Sequence, residues 1–338
     1  MTTAPGPAVS ILMPVRNEER YLCQAIASIR RQTMVNWELV AVDDGSTDAT
    51  AAILDAATAD DSRIRVLRNP ERGLVAALNH GLRDCRAPLV ARMDGDDISH
   101  PGRLANQLRV MEDSPDVDLV ASSFRHFPRH GLKTGMLAYE EWQNALLSHE
   151  LVTADLFVES PFVHPSVMFR RDAVLAVGGY RDMGWAEDYD LWLRLAAAGA
   201  RFARINAPLF FWRDRPERAT RTMAEYSLEA FRACKACHLR EGFLKGCDRV
   251  ILAGAGREGR AWRRTLDAAG ISVAHWIDVD PRKQGKTLHG AVVLSPDEVS
   301  PGSEKMLVTV GTRGARSGIR EWARRAGFIE GSDFICVT

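Results

Sequence analysis

Val9-Ser10-Ile11-Leu12-Met13-Pro14-Val15-Arg16-Asn17-Glu18 begins as an apolar run and turns polar at Arg16, and Glu18 to Arg31 then carries Leu22, Ile26 and Ile29 at helical spacing. That pattern reads as strand, loop and helix. The unit recurs: Trp37 to Val42 runs into Asp43-Asp44-Gly45-Ser46-Thr47-Asp48 and an Ala-rich helix to about Ala59, Ile64 to Leu67 precedes a helix from Arg72 to Arg83, and Pro88 to Met93 is a further strand. Strands alternating with such helices predict an α/β fold, a mostly parallel sheet flanked by helices on both faces. Ligands in such sheets bind at the carboxyl ends of the strands, where Asn17, Asp43, Asp44 and Asp94 all fall.

Beyond Val120 the pattern loosens into a polar stretch from Ser122 to Thr134, a helix near Tyr139 to His149 and an extended Pro161 to Phe169. A helix from Ala186 to Ala198 and strands near Arg201 to Ile205 and Leu209 to Trp212 follow, with a helical spacer over 219–241 closing a first domain, 1–241. At Asp248 a second α/β unit starts. Arg249 to Ala253 reads as a strand entering Gly254-Ala255-Gly256-Arg257-Glu258-Gly259 and a helix. Strands near Val273 to Ile277, around Val292 and at Met306 to Val310, with a helix from Arg316 to Ala326, complete a domain over 248–338.

The 338 residues suffice for roughly two domains of about 150 residues. With 46% hydrophobic and 26% charged residues, disorder, collagen-like repetition and a disulfide scaffold are excluded. Lys+Arg 44 against Asp+Glu 44 leaves no global field for a nucleic-acid partner. No window reaches the roughly 18 apolar residues of a transmembrane segment. Met1 to Ala8 lacks the basic and apolar segments of an export signal, so the six cysteines read as reduced thiols of a cytoplasmic protein, with peripheral attachment to the inner membrane face left open. Cys234-Lys235-Ala236-Cys237-His238 fits the C-x-x-C-H haem template, but it falls inside a predicted helix, and no second ligand pair accompanies it for zinc.

Leu89-Val90-Ala91-Arg92-Met93-Asp94-Gly95-Asp96-Asp97 delivers three carboxylates at the end of an apolar strand. They repel one another unless an oxygen-ligated divalent cation neutralises them; the competing reading is a solvated acidic turn before the helix after Pro101. Asp43-Asp44 likewise precedes a turn that Ser46 to Asp48 can cap, and two adjacent carboxylates ahead of it suit a ribose hydroxyl and a base N–H.

Together with Asn79-His80-Gly81 and Ala186-Glu187-Asp188-Tyr189-Asp190-Leu191, these segments form five blocks whose order resembles the motif series of family 2 glycosyltransferases. The resemblance covers about residues 8–215. It implies the GT-A fold and an inverting transfer of sugar from a nucleotide-diphosphate sugar, with a divalent cation, Mn²⁺ or Mg²⁺. It implies donor-nucleotide contacts at Pro14, Val15, Arg16, Asn17, Glu18, Asp43, Asp44, Asn79, Asp94 and Gly95. Asp94 and Asp96 become the metal residues, with Asp97 a further candidate, and Asp188 the general base. The alternative for Asp188 is a helix cap, with Glu187 paired to Arg181 or Arg194. His164, Glu187 and Arg213 are expected on the acceptor side, and Arg213, Arg215 and Arg218 suit either a diphosphate clamp or a solvated basic turn. The chain lacks the Q-x-x-R-W motif of processive members, which implies transfer of a single sugar. The implied acceptor is a surface polysaccharide, another glycan or a lipid-linked glycan.

Gly254-x-Gly256-x-x-Gly259, with a strand before, a helix after and Asp278 ending the next strand, is the dinucleotide fingerprint with its ribose-binding acid. The segment resembles small Rossmann-like domains of sugar-modifying proteins, so a nucleotide is expected here unless the unit serves packing or dimerisation. Two rival functions are an NAD(P)-dependent oxidoreductase, which lacks a visible hydride-transfer residue, and a non-catalytic nucleotide-sugar sensor, which would not need Asp188.

Overall fold

A computed structural model of the chain describes residues 6–302, 304–312 and 314–338. Met1 to Pro5, the start of the expected first domain, lie outside the described residues. The chain forms two compact units, one of Met1–Val152, Pro161–Met183 and Glu187–Thr222, the other of Thr153–Ser160, Gly184–Ala186 and Met223–Thr338.

The first unit holds strands β1 (Val9–Val15), β2 (Trp37–Asp43), β3 (Ile64–Arg68), β4 (Leu89–Arg92), β5 (Ile98–Ser99), β6 (Val117–Phe127), β7 (Val167–Arg170) and β8 (Arg201–Arg213). They form one sheet in the order β3-β2-β1-β4-β7-β6-β8-β5. The β3-β2-β1-β4 half is parallel, as the alternating pattern predicts, and β7 enters antiparallel to both β4 and β6. Helix Leu22–Arg30 buries Leu22, Ile26 and Ile29, the apolar positions that defined it in the sequence, and Ala25 beside them. Every residue of β1 and β2 is buried, as expected of strands covered on both faces.

Two stretches depart from expectation. β6 runs through Ser122, Ser123 and His126, where the sequence suggests irregular chain, because tertiary partners take up the polar groups of the last two: the His126 N–H donates to Glu140 Oε2 at 2.8 Å, and Ser123 Oγ donates to Ile205 O at 3.2 Å. β8 is one strand rather than two. Its pairing with β6 shifts register between Ile205 and Pro208, and this irregularity accommodates a proline that has no N–H for the ladder.

The second unit contains β9 (Arg249–Ala253), β10 (Ser272–Ile277), β11 (Thr287–Leu288), β12 (Ala291–Leu294), β13 (Lys305–Val308) and β14 (Phe334–Cys336), ordered β11-β12-β10-β9-β13-β14. All pairs are parallel except β11 with β12. Trp262 and Trp276 lie in its core with Leu252, Leu266 and Leu307. The expected spacer over 219–241 is broken into a turn of helix at Ala219–Thr222, a 3-10 turn at Ala224–Tyr226 and a helix Leu228–Glu241 capped by Ser227 Oγ. That last helix belongs to the second unit rather than closing the first.

Candidate active site

The acidic turn after β4 is held by its neighbours from three sides. Gly95 lies so close to β1 that an added Cβ would stand 2.8 Å from Val15 Cγ1 and 3.3 Å from Glu18 Cγ. Asp97 accepts the Arg213 N–H at 2.6 Å, and Arg213 Nε donates to the Asp96 carbonyl at 2.5 Å. Arg215 pairs with Asp96 at 2.8 Å and also grips Glu18. Carboxylate oxygens of Asp94, Asp96 and Asp97 all lie within 4.8 Å of one another.

Burial and the neighbouring carboxylates raise Asp96 and Asp97. Asp97 is pushed well above the usual carboxylate range by burial and by Asp96 and Asp94, against the Arg213 N–H and Arg218; Asp96 is raised by burial and by Asp94. Burial and Asp96 bring Glu18 up to about 7 despite Arg215. Asp97 Oδ2 and Glu18 Oε2 are buried without a hydrogen-bond partner. Oxygen donors, excess negative charge and orphaned carboxylate atoms together fit a hard divalent cation, and a solvated acidic turn does not describe them. Arg218, 8% exposed, lies flat over Trp212 at 3.6 Å and carries its charge toward the same three acids, so the basic residues after β8 are not a solvated turn.

Of the residues expected at the donor nucleotide, Pro14 and Val15 are buried in β1, while Arg16 and Asn17 are exposed. Asn17 adopts a left-handed φ of 53°, and its Oδ1 accepts the Thr47 N–H at 2.8 Å, joining the loop after β1 to the loop after β2. Asp43 accepts from Ser46 N at 3.0 Å and pairs with Arg68; Asp44 accepts from Asn69 Nδ2 at 2.7 Å and Gly73 N at 2.9 Å. Both carboxylates are buried and organise the loops around them. Asn79 clamps the backbone of Tyr180, with Oδ1 accepting its N–H at 2.9 Å and Nδ2 donating to its carbonyl at 2.8 Å.

Asp188 opens helix Glu187–Ala197 and is half-buried, its Oδ1 accepting the Tyr189 N–H at 2.7 Å. Desolvation and then Glu187 hold it well above the usual carboxylate range, opposed by the Tyr189 N–H and Arg92. His164 and Glu187 sit buried, 3.4 Å apart, and His164 Nε2 reaches the Tyr180 hydroxyl at 2.9 Å. Burial and Arg92 lower the His164 pKa. Arg213 lies against the acidic turn, its guanidinium over Tyr21 at 4.2 Å and Phe127 at 4.5 Å.

Arg92 escaped the sequence reading. It is 2% exposed, and its Nη2 donates to Asp94 Oδ1 at 2.7 Å. The available signal was a lone charge in an otherwise apolar strand, which must find a partner.

In the second unit Gly254 has φ +110° and opens the loop after β9, and a Cβ on Gly259 would stand 1.9 Å from the Gly254 carbonyl. Asp278 accepts the Ala255 N–H at 3.0 Å and pairs with Lys283 at 2.7 Å, so it braces this loop.

Residues 10–178 match the family model described as Glycosyl transferase family 2. The putative glycosyltransferase EpsE of Bacillus subtilis (strain 168) is 33% identical over 246 residues, which are 69% of this chain and 84% of that one. The fold is similar to S. aureus TarS 1–349 in complex with UDP-GlcNAc, with TM-score 0.53, 15% identity, and coverage of 69% of this chain and 66% of that one. It is also similar to the mannosyltransferase PcManGT from Pyrobaculum calidifontis in complex with GDP-Man and Mn²⁺, with TM-score 0.50, 22% identity, and coverage of 70% and 62%. This chain therefore spans just under two thirds of each of those solved chains.

Proposed function

Since the chain belongs to glycosyl transferase family 2, we propose that it is a divalent-metal-dependent, inverting glycosyltransferase that moves one sugar from a nucleotide-diphosphate sugar to an acceptor hydroxyl, in surface polysaccharide or related glycan synthesis. The observation that carries this reading is the set of three convergent carboxylates at the end of β4 with buried, unpartnered oxygens beside them. Asp94 and Asp96 are the metal-holding residues, with Asp97 behind them. A bound divalent cation offsets the negative charge that develops on the departing diphosphate. Arg215 and Arg218 add fixed positive charge on the same side.

Asp188 is the base. Its carboxylate takes the proton from the acceptor hydroxyl as the oxygen forms its bond to the anomeric carbon and the bond to the diphosphate oxygen breaks; attack opposite the leaving group inverts the configuration. The complexes of TarS and PcManGT with nucleotide sugars support the donor class. The oxidoreductase and sensor readings have no support from the family.

For the second unit the proposal is a Rossmann-like domain over 248–338 that binds a nucleotide at Gly254 to Gly259. The parallel order β12-β10-β9-β13-β14 supports it, because successive strands are added first on one side of β9 and then on the other, and the glycine loop stands at that switch point. Among the described residues no helix is long and apolar enough to cross a membrane. A lipid-linked acceptor would therefore be reached from the bilayer surface.

Calorimetric donor binding with and without Mn²⁺ and product anomeric configuration by NMR test the transferase reading. Asp96→Asn is expected to abolish metal-dependent donor binding. Asp188→Asn is expected to keep donor binding and lose turnover by at least about a hundredfold, the range of general-base contributions. Equal donor affinity for wild type and Asp96→Asn overturns the metal assignment, and a retained anomeric configuration overturns direct displacement.

A further inference from the structure

β4 carries a buried cation, Arg92, into a region of carboxylates, the Tyr180 phenol and His164, with the buried Arg103 also close by. Arg92 donates through Nη2 to Asp94 Oδ1 at 2.7 Å and through Nη1 to the Met93 carbonyl, while its Nε is buried without a partner. Arg103, itself buried, ties the backbone that carries it: Nη2 donates to Arg92 O at 2.9 Å and to Val167 O at 3.1 Å, joining the end of β4 to the start of β7. Immediately before β7 lies the 3-10 turn His164–Ser166, whose His164 contacts Glu187 and Tyr180.

The charge of Arg92 is felt by His164, Tyr180, Glu187 and Asp188 as well as by Asp94. A buried guanidinium with an idle donor is costly to keep. An apolar residue would serve the strand better unless the charge is needed where it stands.

We propose that Arg92 is a positioning residue that couples the two halves of the site: its fork fixes Asp94 on the donor side, and its charge faces the Glu187–Asp188 pair on the acceptor side. The inference rests on the assignments of Asp94 and Asp188 given above. Asp188 is faced by Glu187 and the Tyr189 N–H from its own helix, by Arg92 from β4 and by Tyr180 from the preceding loop, with His164 joined to Glu187 and Tyr180. Among these groups only Arg92 brings a full positive charge in the neutral range. Without it, two carboxylates would share a desolvated corner with no cation to favour ionisation of the base.

The test is the pH dependence of kcat together with calorimetric donor binding in Mn²⁺, for wild type, Arg92→Gln, Arg92→Lys and Asp188→Asn, with thermal unfolding as a check on folding. In wild type the acid limb of kcat reports the base in the bound complex. For Arg92→Gln that limb is expected to move up by about one pH unit, the size of a lost close charge. Arg92→Lys keeps the charge and not the fork, so its limb stays in place while Mn²⁺-dependent donor affinity falls several-fold.

A folded Arg92→Gln with the wild-type limb overturns the proposal. If the Gln form does not fold, an Arg92→Lys limb displaced upward, or one with unchanged donor affinity, overturns it equally. Turnover retained in Asp188→Asn identifies failure of the base assignment instead; turnover lost there with an unmoved limb in Arg92→Gln identifies failure of the Arg92 coupling alone.

Discussion

Glu18 lies within the first polar segment of the chain and faces Asp96 across the turn that Gly95 keeps tight. Its carboxyl sits at about 7 in the folded protein against a usual value of 4.5. From the lower of these values to the higher, the folded chain therefore holds a proton that the unfolded chain has lost. Stability from this group is complete below the unfolded value and is lost as pH rises through the folded one, a change on the order of 3 kcal/mol. Glu18→Gln is accordingly expected to gain stability relative to wild type between pH 5 and pH 8 in metal-free buffer, by urea denaturation; an equal stability difference at both pH values refutes the assignment. The sequence marks Glu18, Asp43, Asp44 and Asn17 as polar groups at strand ends, and that much was legible. It does not say which way they turn. Asp43, Asp44 and Asn17 make their hydrogen bonds to loop groups, and Arg92 was missed because the tie that holds its backbone, through Arg103 to Val167, joins segments far apart in the chain.

Elements show the same division. β1, β2 and β4 were readable because each is a short apolar run ended by turn residues and buried along its whole length. β6 and β8 were not, because their polar positions are satisfied by partners distant in sequence, such as Glu140 for the His126 N–H. The placing of helix Glu187–Ala197 depends on a contact of this kind. Asn79, on helix Leu74–Asp84, accepts from and donates to the Tyr180 backbone, and Gly179 beside it must be glycine, since a Cβ there would stand 2.6 Å from Asn79 Oδ1 on a backbone with φ +67°. Tyr180 in turn holds His164, which holds Glu187. Asn79→Ala leaves a backbone N–H and a carbonyl without partners, and is expected to cost about 1–3 kcal/mol. If the clamp serves the base rather than the nucleotide, kcat falls while donor affinity changes less than about twofold, under 0.5 kcal/mol. Steady-state kinetics beside calorimetry separate the two; a loss confined to donor affinity would return Asn79 to the nucleotide site.

At the scale of the molecule, each unit holds a loop proposed above to receive a nucleotide, and the two loops differ in chemistry. The first offers convergent carboxylates, to which the proposed function assigns a cation. The second offers the N–H groups of a glycine turn, which need none. Isolating 248–338 would not test the second loop fairly, because the unit also contains Thr153–Ser160, Gly184–Ala186 and helix Leu228–Glu241. Lys235 of that helix donates to Val158 O at 2.7 Å and Val337 O at 3.2 Å, and Asp155 pairs with Arg316 at 3.2 Å and Arg320 at 2.8 Å. The full chain is therefore the right material, titrated with UDP, GDP, dTDP and CMP with and without Mn²⁺. Gly256 makes a clean probe: nothing lies within 4 Å of an added Cβ and its φ of −90° suits any residue, so Gly256→Val fills the mouth of the loop without disturbing the fold. Gly259 would not serve, because its Cβ collides with the Gly254 carbonyl. Gly256→Val is expected to remove metal-independent nucleotide binding by at least about tenfold, 1.4 kcal/mol, and to leave Mn²⁺-dependent binding unchanged. Asp96→Asn is expected to do the reverse. Metal-independent binding that survives Gly256→Val would leave the second loop without a ligand role and confine nucleotide chemistry to the carboxylates after β4.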